Sequence, residues 1–135
     1  MDAQVKAVAI ECSAASEQNR MSFPEIVMTL KEAGVESYFA DFRRSTKTYY
    51  LPNGESLEVA AEGVAAPMGS TFDVPVIQAA IREAQANGPS YAYRGFCEKV
   101  VVAGCVGYIV SIVGRRAVYF GRTGETHVEH FPSAP

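Results

Sequence analysis

His127 and Glu129 stand two apart near the carboxy-terminal end of the chain, with His130 following, in a run that reads as a strand. Alternate strand residues share a face, so this set could supply part of a metal site. It is an incomplete shell, a solvated polar strand carries the same letters, and no metal or cofactor is expected. Glu55 and Glu125 each follow a turn glycine, Gly54 and Gly124. Matched carboxyls of this kind suit general acid and base work if one is raised in pKa and the other stays ionised. An exposed charge after a turn has the same appearance. Asp41, set among Tyr38, Phe39 and Phe42, is a third candidate acid. Cys105, in the run Ala103-Gly104-Cys105-Val106-Gly107, resembles a nucleophile elbow, although a free cysteine in apolar surroundings is ordinarily a buried structural thiol. Two basic clusters, Arg43, Arg44 and Lys47, then Arg115 and Arg116, would bind an anion or simply form solvated hairpin ends. Tyr38, Tyr49, Tyr108 and Tyr119 could wall a ligand groove, with Arg44 and Arg116 beside it.

These side chains have to be positioned by helices and short strands. An apolar stripe at helical spacing runs through Val5, Val8, Ala9 and Cys12, predicting a helix over about 3–16. Ser22 and Glu25 form a capping box, with Met21 and Ile26 at the staple positions, and Gly34 stops the helix that follows. Strand-like sequence then covers Val35 to Phe42, Thr48 to Leu51 and Ser56 to Ala61, with a hairpin signal at Asn53-Gly54. The second half repeats the order. Asp73 caps a helix over about 73–86 with Pro75 in its first turn, and Asn87-Gly88-Pro89 ends it. A helix from Tyr93 stops at Gly104, and strands follow at Cys105 to Val113, Ala117 to Gly121 and Thr126 to Phe131.

The two halves align. A shift of 70 positions superposes residues 22–55 on 92–125 without a gap, matching Ala33, Gly34, Tyr38, Tyr49, Gly54 and Glu55 with Ala103, Gly104, Tyr108, Tyr119, Gly124 and Glu125. Cys105 falls on Val35, which favours the structural thiol, and Asp41, Leu57 and Val59 fall on Ser111, His127 and Glu129, where the copies differ in polarity. If those three positions converged on one pocket, an enzyme would be favoured; scattered, they would favour a binding module. The expectation is an α+β single domain over 1–135, built by tandem duplication of a helix-helix-strand-strand-strand unit, with repeats at about 1–62 and 71–132. Antiparallel sheet covered by helices and pseudo-twofold symmetry follow from it, with Gly34 and Gly104, and Tyr38 and Tyr108, in like surroundings. One copy alone is near the size at which only about 60% of the unfolded surface is buried, so two sharing a core are the more stable arrangement.

Composition narrows the partners. Twelve Lys and Arg against fifteen Asp and Glu leave a net charge of −3, so nucleic acid is not an expected partner. Three cysteines are an odd number and suit reduced thiols and a cytoplasmic location. The longest apolar run, Val100 to Val113, is interrupted by Gly104 and Gly107 and falls short of the ~20 residues of a membrane helix, so no membrane partner is expected. Asp2 comes before any basic residue and the apolar run at Val8 to Ile10 is too short for a signal-peptide core, so no export signal is expected.

The segments FPEIV, LKEAGVESY and TYYLPNGE, with AGCVGYIV, RRAVYFGRTGE and VEHFP, resemble the YbcV/YdfO-like family of small bacterial and prophage-borne proteins. The resemblance covers nearly the whole chain and implies a domain of unknown function, sometimes labelled a phage envelope protein. It brings no catalytic residues to carry over. The leading expectation is a non-catalytic module with a groove between its repeats for a small molecule or a protein. An enzyme with a carboxylate and histidine site between the repeats, and an assembly protein acting as a homodimer, are the alternatives.

Overall fold

The structure, a computed structural model, describes residues 1–132. Local signals start its first helix, α1 (Ala3–Glu17), where Asp2 accepts from Gln4 N. They also start α2 (Phe23–Glu32), whose Ser22/Glu25 capping box is formed in both directions. Strands β1 (Ser37–Asp41), β2 (Thr46–Tyr50) and β3 (Ser56–Ala60) follow. After the connector come α3 (Val74–Ala86), capped by Asp73, and α4 (Tyr93–Val102). The chain then forms β4 (Cys105–Ser111), β5 (Arg116–Gly121) and β6 (Thr126–His130). The α+β class and the order of elements agree with expectation.

The six strands form one antiparallel sheet in the order β3-β2-β1-β4-β5-β6. Its two meanders join where β1 pairs with β4, Ser37 opposite Ser111 and Asp41 opposite Gly107. Strand alternation sends Tyr38, Ala40, Tyr49, Tyr108, Val110, Ala117 and Tyr119 to the side where they meet Leu30, Ile77, Phe96 and Val100 of the helices in a continuous core. Helix α1 packs on α2, α3 on α4, and α1 also touches α4. Among the described residues nothing covers the opposite face of the sheet, which carries Phe39 stacked on Phe120 at 5.6 Å, with Ile109 and Val128 exposed.

Each hairpin between the second and third strand of a meander is a three-residue turn. Leu51 N donates to Glu55 O, Gly54 N donates to Leu51 O, and Gly54 has φ +90°. Gly121, Gly124 and Glu125 repeat this bonding. Asn53 is not in the left-handed region, so the Asn-Gly pair makes a turn closed by an αL glycine rather than a two-residue turn with both residues at positive φ.

Gly34 and Gly104 share φ +91° at matched helix ends. Their surroundings differ: a Cβ on Gly34 meets nothing, whereas one on Gly104 would lie 2.3 Å from Thr71 O, because the connector lies across that corner. Gly69 N donates to Val101 O and Asp73 N to Ala103 O, which pins the connector there. Gly34→Ala should therefore cost about 1–2 kcal/mol from the left-handed conformation alone. Gly104→Ala should cost clearly more, because the connector must also shift; urea unfolding midpoints of the two variants check the order.

Candidate functional site

Between the helix layer and the sheet lies a cavity of about 700 Å³. Its floor is Tyr38, Tyr108, Ala117 and Tyr119 from the sheet, and its walls include Ile26 of α2, Ile81 of α3 and Phe96 of α4. Arg20, Gln85 and Gly88 at its rim are exposed. The aromatic floor is continuous, with Tyr38 and Tyr108 centroids 6.4 Å apart and Tyr108 and Tyr119 5.2 Å apart. Phe96 meets both Tyr108 and Tyr119 edge-on. Strand alternation explains the set, since Tyr108 and Tyr119 are cross-strand partners on the helix face.

Tyr93, on the first turn of α4, completes this cavity, sharing a hydrogen bond with the Tyr108 hydroxyl at 2.6 Å. It is held there by Asn19, whose Oδ1 accepts from Tyr93 N and so caps α4 from the loop after α1. Asn19 itself sits at φ 57°, a conformation its side chain tolerates better than most. Desolvation pushes the phenols of Tyr38, Tyr93 and Tyr108 well above their ordinary value, so they are neutral hydroxyls at physiological pH. Such a site offers apolar surface and hydroxyl hydrogen bonds, with Arg20, Glu25 and Glu129 among the residues around it.

The residues singled out from the sequence are distributed unevenly around this cavity. Tyr38, Tyr108 and Tyr119 line it, and Glu129 and His130 reach its edge. Tyr49 does not line it; it is 2% exposed and packs against Tyr38 at 5.4 Å, as part of the core. His127 Nε2 sits 3.1 Å from Glu129 Oε2, and both lie on the helix face, opposite Tyr119 and Ala117. Among the described residues no third His, Cys, Asp or Glu joins them in a cluster able to hold a metal ion.

The paired acids and the paired basic tips do not converge. Because β1 and β4 run antiparallel, Asp41 is beside Gly107 at one end of the sheet and Ser37 beside Ser111 at the other. Matched turns far from that junction therefore fall at opposite ends, which separates Glu55 from Glu125 and the Arg44 loop from the Arg116 loop. Neither glutamate is raised in pKa. The Met1 amino group and then Asn53 hold Glu55 low, and the Thr123 hydroxyl holds Glu125 low. Arg44 pairs with Glu58 at 3.5 Å, and Arg116 Nε donates to Gly114 O at 3.2 Å.

Asp41 Oδ1 accepts from Arg43 N and Arg44 N, closing the first hairpin loop. Ser111 Oγ does the same for Gly114 N. Asp41 thus occupies a turn position, three strands from β6, which at ~4.8 Å per strand is roughly 14 Å from His127 and Glu129. The three polar differences between the halves do not share a pocket. Cys105 is fully buried, its Sγ donating to Gly107 O at 3.2 Å, whereas an elbow nucleophile is presented at an exposed turn.

Lys47 is the largest departure from the sequence reading. It does not belong to the solvated basic loop: only 4% exposed, it faces the helices with its Nζ 4.6 Å from the centroid of Tyr93. Two signals pointed there. Lys47 shares strand parity with Tyr49, and it aligns with Ala117, a core position in the other half. Tyr93 and Asn19 carried no such signal, because their meeting depends on how α1 and α4 pack.

An open-faced two-layer α+β domain with an aromatic cavity under its helices is the class of protein that these features define. The chain belongs to the DUF1398 family, described as a protein of unknown function, which matches residues 13–129. It is similar to uncharacterized proteins of Mycobacterium bovis and Mycobacterium tuberculosis, 29% identical over 119 residues covering 81% of this chain. The chain spans 66% of the length of these curated relatives. Among the described residues no helix is long and apolar enough to cross a membrane.

The buried acids make stability fall in alkali. Burial raises the Cys97 and Cys105 thiols from 9.0 to about 11, and Tyr91 from 10.0 to about 12. A group raised in the folded state contributes stability that is complete below its unfolded value and is lost as pH rises through its folded value. Lys47, held below its ordinary value by burial, acts in the opposite sense, but as one group against several. Guanidinium unfolding midpoints should hold steady to about pH 9, the free thiol value, and then fall progressively toward pH 11. Cys105→Ala should flatten part of that slope.

Proposed function

We propose that this chain is a non-catalytic binding module for an uncharged small molecule with a flat, largely apolar body and one hydrogen-bonding group. The ligand enters between the helices and rests on Tyr38, Tyr108 and Tyr119, its polar group reaching the Tyr93 and Tyr108 hydroxyls. The observation that carries this reading is the roughly 700 Å³ cavity floored by phenols that burial keeps neutral. A volume of that size is typical of small-molecule sites, which are mostly apolar with a few placed polar groups. In the same reading the chain is one domain of two repeats, about 1–62 and 71–132, descended from a tandem duplication whose pseudo-twofold axis passes between β1 and β4. Kinship with the YbcV/YdfO-like proteins and a cytoplasmic location belong to it as well.

A thermal-shift screen with neutral aromatic and heteroaromatic compounds tests the proposal. A ligand at a hundred times its Kd adds about 2.7 kcal/mol to the folded state, enough for a shift of several degrees. Ala117→Leu, which fills the floor of the cavity, should abolish the shift while the variant stays folded. Shifts that survive in Ala117→Leu, or none across the screen, would remove the reading.

A second reading, a homodimer, is favoured by the uncovered sheet face, where Tyr50, Ile109 and Val128 are 37%, 42% and 40% exposed. Sizing by light scattering should then give twice the chain mass, and Ile109→Lys should return it to a monomer.

A further inference from the structure

Tyr93 also lines a second, much smaller cavity of about 40 Å³, at the Asp41 end of the sheet. Lys47 faces it together with Glu17, Asp41, Ser45 and Cys97, and exposed Glu62 and Arg94 form part of its rim. Lys47 takes part in none of the ion pairs among the described residues, which join Met1 to Glu55, Arg20 to Glu11, Arg44 to Glu58, Arg94 to Glu62, Lys99 to Glu83 and His127 to Glu129. Its ammonium rests on the Tyr93 ring at 4.6 Å. Glu17, the charge that acts most strongly upon it, has one carboxylate oxygen accepting from Glu62 N at 2.9 Å. A lysine so placed is a nucleophile at the wall of a solvent-connected chamber, without a carboxylate clamped to it.

We propose that Lys47 is a covalent carbonyl-binding site that takes a small aldehyde or ketone of two or three carbons as an imine. The chamber's size sets that limit. At about 10–15 Å³ of such volume per water, it holds roughly three waters, which a two- or three-carbon carbonyl compound replaces. Its lining sets Glu17, Asp41 and Glu62 against Lys47 and Arg94, the latter paired with Glu62 at 3.2 Å, so it offers a free anion no net attraction. Desolvation lowers the Lys47 pKa, which raises the fraction of free amine near neutral pH.

The chemistry balances without an oxidant or reductant. The Nζ lone pair adds to the carbonyl carbon, the π pair of the C=O moves to oxygen, and the proton shed by nitrogen is taken up there, giving a carbinolamine. That hydroxyl takes a second proton from water in the chamber and leaves as water while the nitrogen lone pair forms the C=N bond. Loss of the remaining N–H proton from the iminium returns that proton to solvent. The Tyr93 face steadies the cationic iminium as it steadies the ammonium.

The test is competition among the four lysines of the intact chain. Lys6, Lys31 and Lys99 are exposed and serve as the internal reference amines. Acetaldehyde with cyanoborohydride at pH 7, followed by peptide mapping, should alkylate Lys47 several-fold faster than the other three, and the preference should vanish in urea. Glu17→Gln should change the Lys47 rate without changing the rates at Lys6 and Lys31. Labelling of Lys47 at or below the rate of the exposed lysines in the folded chain would overturn the proposal, as would a preference that persists in urea. Because the comparison is internal to the natural protein, a Lys47→Met variant that fails to fold would not affect it.

Discussion

The pairing of β1 with β4 is the constraint on which the other features depend. Without it each meander would have an open inner edge and would cover its helices' apolar faces with three strands alone. With it, Tyr38 and Tyr108 come to the middle of one sheet, and the aromatic rings of both halves form a single floor. The same pairing decides which matched residues can cooperate. Residues near the junction are neighbours, and residues in the outer turns are carried to opposite ends. That is why the tyrosines gather while Glu55 and Glu125, or Arg44 and Arg116, do not.

Tyr93 ties the two cavities to each other. Its hydroxyl belongs to the large aromatic chamber through Tyr108, its ring face belongs to Lys47, and its backbone is held by Asn19 from the opposite half. A buried lysine beside a tyrosine face and within the field of Glu17 is tolerable energetically because the cation gains ring attraction and keeps access to a water-sized space. The connector adds a further asymmetry. By lying over Gly104 and not Gly34, it closes one helix-strand corner and leaves the other open.

Much of the fold was legible because its signals are local. The capping box at Ser22 and Glu25, the Asp73 cap and the glycines at positive φ each act within a turn of chain, and the helices and strands fall within a few residues of where those signals put them. The site was legible only in part. Tyr38, Tyr108 and Tyr119 could be named because strand alternation and the spacing of tyrosines along the chain both mark them, but Tyr49 carries the same marks and does not line the cavity. Lys47 was misread because its charge was weighed above its parity with Tyr49.

By itself the amino-acid sequence determined the α+β class, the order of the elements and the helix ends, since these follow from propensity, capping and periods of 3.6 and 2. Only the tertiary structure decided that the two meanders merge into one sheet, that Tyr93 reaches Tyr108, and that Lys47 is buried beside a small chamber. Those outcomes depend on contacts between residues far apart in the chain, where the free energy of packing surfaces together, rather than any neighbouring residue, selects the arrangement.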